Sequence, residues 1–283
     1  MARVQVFTNS ASEMSPAIAS EFGVTVIPDV VVFSPEEQYL NNVEIDPETF
    51  FQKLKGRKKL PTTSHPNAAQ YMEAFSSARD CEEILCVALT SKMSGAYSTA
   101  CTAARMLAEQ GFATPITVYD SLQNCYALSI VAMEAAKLAS EGKSVQEILP
   151  HLDVVRSKIG AYFVVESMDN FRKAGRVGAI RVLAADLLNV KPILMFRDGT
   201  VRDVGIVRGF PAAVENILER YHKQAQYGQE LFVYHANREA LAQQMKQRIL
   251  EMDPDAKVRV EWIGAIIGAY TGEGCVGLAF HER

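Results

Sequence analysis

The chain of 283 residues carries 29 Lys and Arg against 33 Asp and Glu, a formal charge of −4, and 48% of it is hydrophobic. That apolar content excludes a disordered chain, and the missing cationic excess argues against a nonspecific nucleic-acid binder. At about 150 residues per domain, the length suits one large domain or two ordinary ones, either able to bury a core unaided.

Residues 4–7 predict a short buried strand ending in polar Thr8, Asn9 and Ser10. A helix over 15–22 follows, stopped by Gly23. Residues 24–27 and 30–33 are β-branched and apolar, separated by Pro28 and Asp29. Asp46 and Pro47 form an N-cap and first-turn pair that opens a helix ending by Gly56. Residues 57–66 read as a basic, proline-containing loop, and Asn67 caps a helix reaching about residue 79. The next two units are the cleanest. Residues 84–89 predict a strand, 90–94 a polar loop and 95–109 a helix stopped by Gly111. Residues 116–119 predict a strand, Asp120 and Ser121 its polar end, and 124–140 a helix stopped by Gly142. Strand, polar loop and helix in repetition imply parallel strands with right-handed crossovers.

After about residue 155 the rhythm changes. Residues 159–165 and 191–196 predict strands flanking a helical stretch that contains Gly and Arg. Asp198-Gly199 carries the signature of a tight hairpin, so this sheet has an antiparallel pair. Helices are expected at 211–226 and 237–251, with strands at 230–235, 257–262 and 275–280. The fold class is therefore α/β, with a parallel-sheet domain over 1–155 and a mixed-sheet α+β domain over 156–283.

The five cysteines, Cys81, Cys86, Cys101, Cys125 and Cys275, are odd in number and form no C-x-x-C, as expected of free thiols in a reducing compartment. Residues 1–8 lack the long apolar core of a secretory signal, and a cytoplasmic protein is expected. The most membrane-like window, 262–280, holds five glycines, which favour turns over a spanning helix. Residues 272–277 spell G-x-G-x-x-G, but no helix or acidic partner follows, so the dinucleotide reading fails. The five histidines, at 65, 151, 222, 235 and 281, show no ligand spacing, and neither metal nor cofactor is expected.

The informative feature is a convergence. In an open parallel sheet, ligands bind at the carboxyl ends of the strands. Three strands here end in polar groups: Thr8-Asn9-Ser10, residues 90–94, and Asp120-Ser121. Thr62, Thr63, Ser64 and His65 add a further cluster before a helix. Hydroxyls beside helix N-termini suit a small anion such as a carboxylate or phosphate, although each cluster alone also reads as an ordinary cap. The residues leave three functions open: a binding protein, a small-molecule enzyme using Ser64 or Ser94 as nucleophile, and a regulatory interaction module. His65 is the one imidazole near these loops.

Thr63-Ser64-His65-Pro66 resembles the T-S-Q-P box of the DegV family, with His65 in place of Gln. Residues 91–97 resemble its S-x-x-S-G-T-Y segment. Asp120-Ser121, Lys173-Ala174-Gly175-Arg176, residues 188–194 and Arg208-Gly209 match further blocks in order, and residues 264–274 resemble its closing glycine-rich segment. The resemblance spans essentially the whole chain. It implies a Rossmann-like first domain, a second α/β domain, and a bacterial protein that encloses one long-chain fatty acid in an apolar tunnel between them. It implies a non-enzymatic carrier that presents the carboxylate to a separate ATP-dependent fatty acid kinase for acyl-phosphate formation and phospholipid synthesis. Carried over singly, Thr63 and Ser94 bind the carboxylate, with the Gly95 amide as a further donor. Arg176 and Arg208 match basic positions near the head group or the partner-facing surface. Tyr270 stands where the family usually has a carboxylate-binding His, and its phenol can still donate a hydrogen bond. Asn9 replaces an Asp, Ala265 and Glu273 replace prolines, and Ala174 replaces a Gly. No integral membrane association is implied.

Overall fold

A computed structural model describes residues 3–57, 59–175 and 189–283. The first half runs β1 (Val4–Asn9), α1 (Pro16–Phe22), β2 (Val24–Ile27), β3 (Val30–Ser34), β4 (Glu37–Leu40), α2 (Pro47–Leu54), β5 (Thr62–Ser64) and α3 (Ala68–Ser76). It continues with β6 (Glu83–Ala88), α4 (Ala96–Glu109), β7 (Ile116–Asp120), α5 (Cys125–Ser140) and α6 (Val145–Ser157). The second half contains β8 (Ile159–Val164), α7 (Asp169–Ala174), β9 (Val190–Arg197), β10 (Thr200–Arg208) and α8 (Phe210–Gln224). It closes with β11 (Glu230–His235), α9 (Glu239–Met252), β12 (Lys257–Trp262), α10 (Ala265–Thr271) and β13 (Val276–His281).

The strands form a parallel four-stranded sheet, β2-β1-β6-β7, and a mixed six-stranded sheet, β10-β9-β8-β13-β11-β12. The pleat decides which residues each face buries. On β6, Leu85 and Val87 face the central layer while Ile84 and Cys86 face α3 and α4. On β8, Ala161 and Phe163 face the same central layer while Tyr162 and Val164 face α8 and α9. That layer is built on α5, which touches β1, β2 and β6 on one side and β8, β11 and β13 on the other. Every residue from Cys125 to Met133 is buried. The Ser129 hydroxyl donates to the Ser12 carbonyl at 2.7 Å, and the Tyr126 phenol to the Trp262 carbonyl at 2.5 Å. Thus α5's two buried hydroxyls are satisfied by opposite halves of the chain.

The α/β class, the parallel order and the hairpin at Asp198 and Gly199 agree with expectation. Both turn residues have positive φ, 52° and 80°, as a tight hairpin turn requires. Besides strand β4, which the sequence reading did not include, three elements differ from it. First, the expected loop over 57–66 contains β5, which pairs antiparallel with β3 and, with β4, makes a third sheet. A three-residue strand of Thr, Thr and Ser carries too short an alternation to stand out.

Second, α6 was not anticipated, because Pro150 interrupts its sequence. The capping box of Ser144 and Glu147, with Val145, Ile148, Leu152 and Val155 buried along one face, outweighs the bond that Pro150 removes. Third, the glycine-rich window contains a helix, α10, where turns were expected. Gly264 and Gly272 cap it, and Gly268 allows it to press on α2. A Cβ at residue 268 would lie 2.8 Å from Phe50 and 2.9 Å from Phe51. Among the described residues, no helix is long and apolar enough to cross a membrane.

Gly268→Ala therefore forces two buried rings apart. The expected loss is about 1–3 kcal/mol, read as a lower midpoint in equilibrium denaturation. An unchanged midpoint would show that α10 does not bear on α2 in this way.

Candidate functional site

A cavity of about 630 Å³ opens where the parallel sheet, the small third sheet, the mixed sheet and α10 meet. Its size falls within the range of small-molecule sites. Apolar side chains from both halves line its depth: Ala127 from α5, Ala161 and Phe163 from β8, Phe196 from β9, Val201 from β10, and Ile266 from α10. Cys125 and Cys275 also line it. Burial pushes both thiols above their ordinary value, which keeps them protonated and poorly nucleophilic at neutral pH.

Hydroxyls gather at the rim. Pairing of β5 with β3, Thr63 opposite Val31, carries Thr63 and Ser64 to one side. The turn between β6 and α4 brings Ser91, Ser94 and Gly95 to the other, and α10 contributes Tyr270. The Thr63 and Tyr270 hydroxyls lie 2.6 Å apart, a direct hydrogen bond between residues 207 positions apart. Ser94 Oγ accepts from the Ala96 amide at 3.1 Å, so the hydroxyl's own proton remains for donation. Gly95 is the N-cap of α4, and its amide precedes the helical ladder. A Cβ at residue 95 would lie 2.7 Å from His65 Nε2, so any larger residue would displace that ring.

Four expected site residues, Thr63, Ser94, Gly95 and Tyr270, thus line one opening. Arg208 does not join them: it ends β10, is exposed and lies away from the cavity lining. Arg176 lies outside the described residues. Two of the three expected polar strand ends are structural. Thr8 Oγ1 donates to the Val87 carbonyl, Asn9 Nδ2 to the Tyr71 hydroxyl and Ser10 Oγ to Asp29. Asp120 accepts from the Ser91 and Leu122 amides, and the Ser121 hydroxyl donates to the Ala88 carbonyl. These bonds position the rim loops and leave the rim itself to other hydroxyls.

Sequence reasoning missed two buried acids. Glu13 accepts from the Gly264 amide and, at 3.3 Å, from the Ile267 amide; Asn41 Oδ1 accepts from the Ala265 amide at 3.1 Å. The first half of the chain thereby anchors the start of the helix that carries Tyr270. Burial raises the Glu13 carboxyl to about 8. Asp29 lines the cavity, and burial raises its carboxyl to about 6 against opposing bonds from Ser10 and Ala11 and the charge of His65. Asp29 stands out in the sequence only as an acid between two apolar runs, and Glu13, in a serine-rich stretch, not at all. Among the described residues, no group of His, Cys, Asp and Glu is arranged to hold a metal ion.

Because Asp29 binds its proton more tightly in the folded chain than at its ordinary value of 3.8, its contribution to stability is complete below that value. It is lost as pH rises through about 6. Asp29→Asn should therefore gain stability relative to the parent, by on the order of 3 kcal/mol, between acid and neutral pH. Urea denaturation across that range checks this; parallel pH profiles would contradict it.

Comparison with known proteins agrees with this architecture. A family model described as uncharacterised protein, DegV family, matches residues 3–283. A DegV domain-containing protein of Halalkalibacterium halodurans is 34% identical over 285 residues, covering 99% of each chain. The crystal structure of DegV from Bacillus subtilis, described as a fatty acid binding protein, superposes with a TM-score of 0.88 at 28% identity over 100% of both chains. The Fatty Acid Kinase B3 protein of Streptococcus pneumoniae, solved loaded with linoleic acid, shares the fold with a TM-score of 0.83 at 20% identity over 99% of each chain. This chain belongs to the DegV family.

Proposed function

We propose that the protein binds one long-chain fatty acid, its tail in the apolar cavity and its carboxylate at Thr63, Ser94, the Gly95 amide and Tyr270. The observation that carries this reading is the shape of the site: a hydroxyl rim on one opening, above a cavity walled by apolar residues of the mixed sheet, α5 and α10. Each buried methylene contributes about 0.8 kcal/mol, so a sixteen-carbon tail supplies on the order of 10 kcal/mol before the costs of association. The rim then needs only to orient the head group and satisfy its lone pairs. The family relation to a Bacillus subtilis protein described as fatty acid binding supports the same ligand class.

A carrier role fits the rim better than nucleophilic catalysis. Ser64 Oγ donates to the His65 carbonyl, not its ring, and His65 Nδ1 faces the Pro66 carbonyl. Among the described residues, neither Ser64 nor Ser94 is hydrogen-bonded to the His65 ring, the contact that would activate a serine nucleophile. In the proposed cycle the bound carboxylate is offered to a separate fatty acid kinase, which transfers a phosphoryl group from ATP to make the acyl-phosphate. Arg208, which is exposed, and Arg176 are both assigned to the surface facing such a partner by the family resemblance.

Organic extraction of protein purified from bacterial cells, followed by mass spectrometry, should yield about one fatty acid per chain. In delipidated protein, Ser94→Ala should weaken palmitate binding tenfold to a hundredfold, since one buried carboxylate lone pair loses its donor. No lipid under several expression conditions, together with no palmitate binding, would overturn the proposal.

A further inference from the structure

The geometry points to His65 as the charge-bearing contact for an anionic head group, its Nε2 taking up a proton as the anion binds. This inference rests on the lipid-carrier reading above and gives that site a pH-dependent grip. Three observations carry it. First, the His65 ring is half-buried and lines the cavity beside Thr63, Ser94 and Gly95. Second, Nδ1 lies 2.9 Å from the Pro66 carbonyl oxygen. A carbonyl only accepts, so Nδ1 carries the hydrogen and the neutral ring presents a lone pair at Nε2. Third, Nε2 sits directly over Gly95 at the start of α4, within the group of rim donors, and no hydrogen bond to another described residue occupies it.

A lone pair at that position repels a carboxylate, whereas a proton there makes a charge-assisted donor. Binding of an anion and protonation of Nε2 are therefore linked, and one fully linked proton changes Kd tenfold per pH unit. The charged and titratable groups around the ring act as follows. Asp29, from the connection between β2 and β3, is electrostatically coupled to His65 and itself takes up a proton near pH 6. Its ionised form favours a charged imidazole but repels an incoming anion. Tyr270 of α10 is hydrogen-bonded to Thr63. Lys92, in the turn before α4, directs its ammonium to the Asp198 carbonyl at 2.9 Å. In α3 the Tyr71 hydroxyl accepts from Asn9, and in α4 Tyr97 is engaged with Cys101.

The test is calorimetric titration of delipidated protein with laurate and with 1-dodecanol at pH 6 and pH 8, in buffers of different ionisation heat. For the parent chain, laurate should bind about tenfold more tightly at pH 6 than at pH 8 with net proton uptake, while the alcohol shows neither effect. His65→Gln, with folding checked by circular dichroism, should lose most of that pH ratio and of the proton uptake. Asp29→Asn removes the aspartate's share and should retain a larger ratio than His65→Gln. A His65→Gln protein that keeps the parental pH ratio and proton uptake would overturn the inference while leaving the carrier reading intact. Failure of both laurate and the alcohol to bind the parent chain at either pH would instead strike the carrier reading, and this inference with it.

Discussion

The fold depends on a helix that has no wet side. From Cys125 to Met133, α5 is buried on every face, so neither sheet alone can satisfy it. The parallel sheet covers one side, the mixed sheet the other, and Tyr126 stacks on Phe232 and Tyr234 of the mixed sheet with ring centroids 4.7 and 5.4 Å apart. The cavity opens at its N-terminal end, where Cys125 and Ala127 form part of the lining. The apolar chamber thus lies between that end of α5, the mixed sheet and α10.

A chamber of this kind binds greasy molecules without discrimination unless its mouth does, and the mouth is assembled from distant parts of the chain. Thr63 comes from a three-residue strand, Ser94 and Gly95 from the turn before α4, and Tyr270 from a seven-residue helix. Such short pieces hold position only through their anchors. Glu13 and Asn41 fix the start of α10, Gly268 lets it sit on Phe50 and Phe51, and Thr90 ties the β6–α4 turn to the Gly199 carbonyl in the second half. The anchors include buried acids whose carboxyls resist ionisation, a cost accepted in exchange for fixing the rim.

Much of this was legible in the sequence because strong local signals and tertiary demands coincide. The strand, polar loop and helix units around β6 and β7 carry continuous apolar runs, helix stops at Gly111 and Gly142, and polar strand ends. The hairpin at Asp198 and Gly199 was equally plain. What escaped notice was decided by contact at long range. Thr62, Thr63 and Ser64 form a strand because β3 offers an edge. The segment bearing Tyr270 is helical despite its glycines because Glu13, some 250 residues earlier, accepts its first amides. Counting polar strand ends overestimated the site, since Thr8, Asn9, Ser10, Asp120 and Ser121 spend their polar atoms within the scaffold. The block resemblance names Thr63, Ser94 and Tyr270; the fold brings Tyr270 against Thr63 and leaves Arg208 out of the cavity lining.

The central claim is that one cavity holds the acyl tail while the hydroxyl rim holds its carboxylate. A crystal structure of the protein with palmitate tests it most directly. The account predicts carboxylate oxygens within about 3 Å of Thr63 Oγ1 and Ser94 Oγ, with the tail running inward past Phe163 and Ile266. A fatty acid bound elsewhere, or one entering tail-outward with its carboxylate remote from the rim, would contradict it.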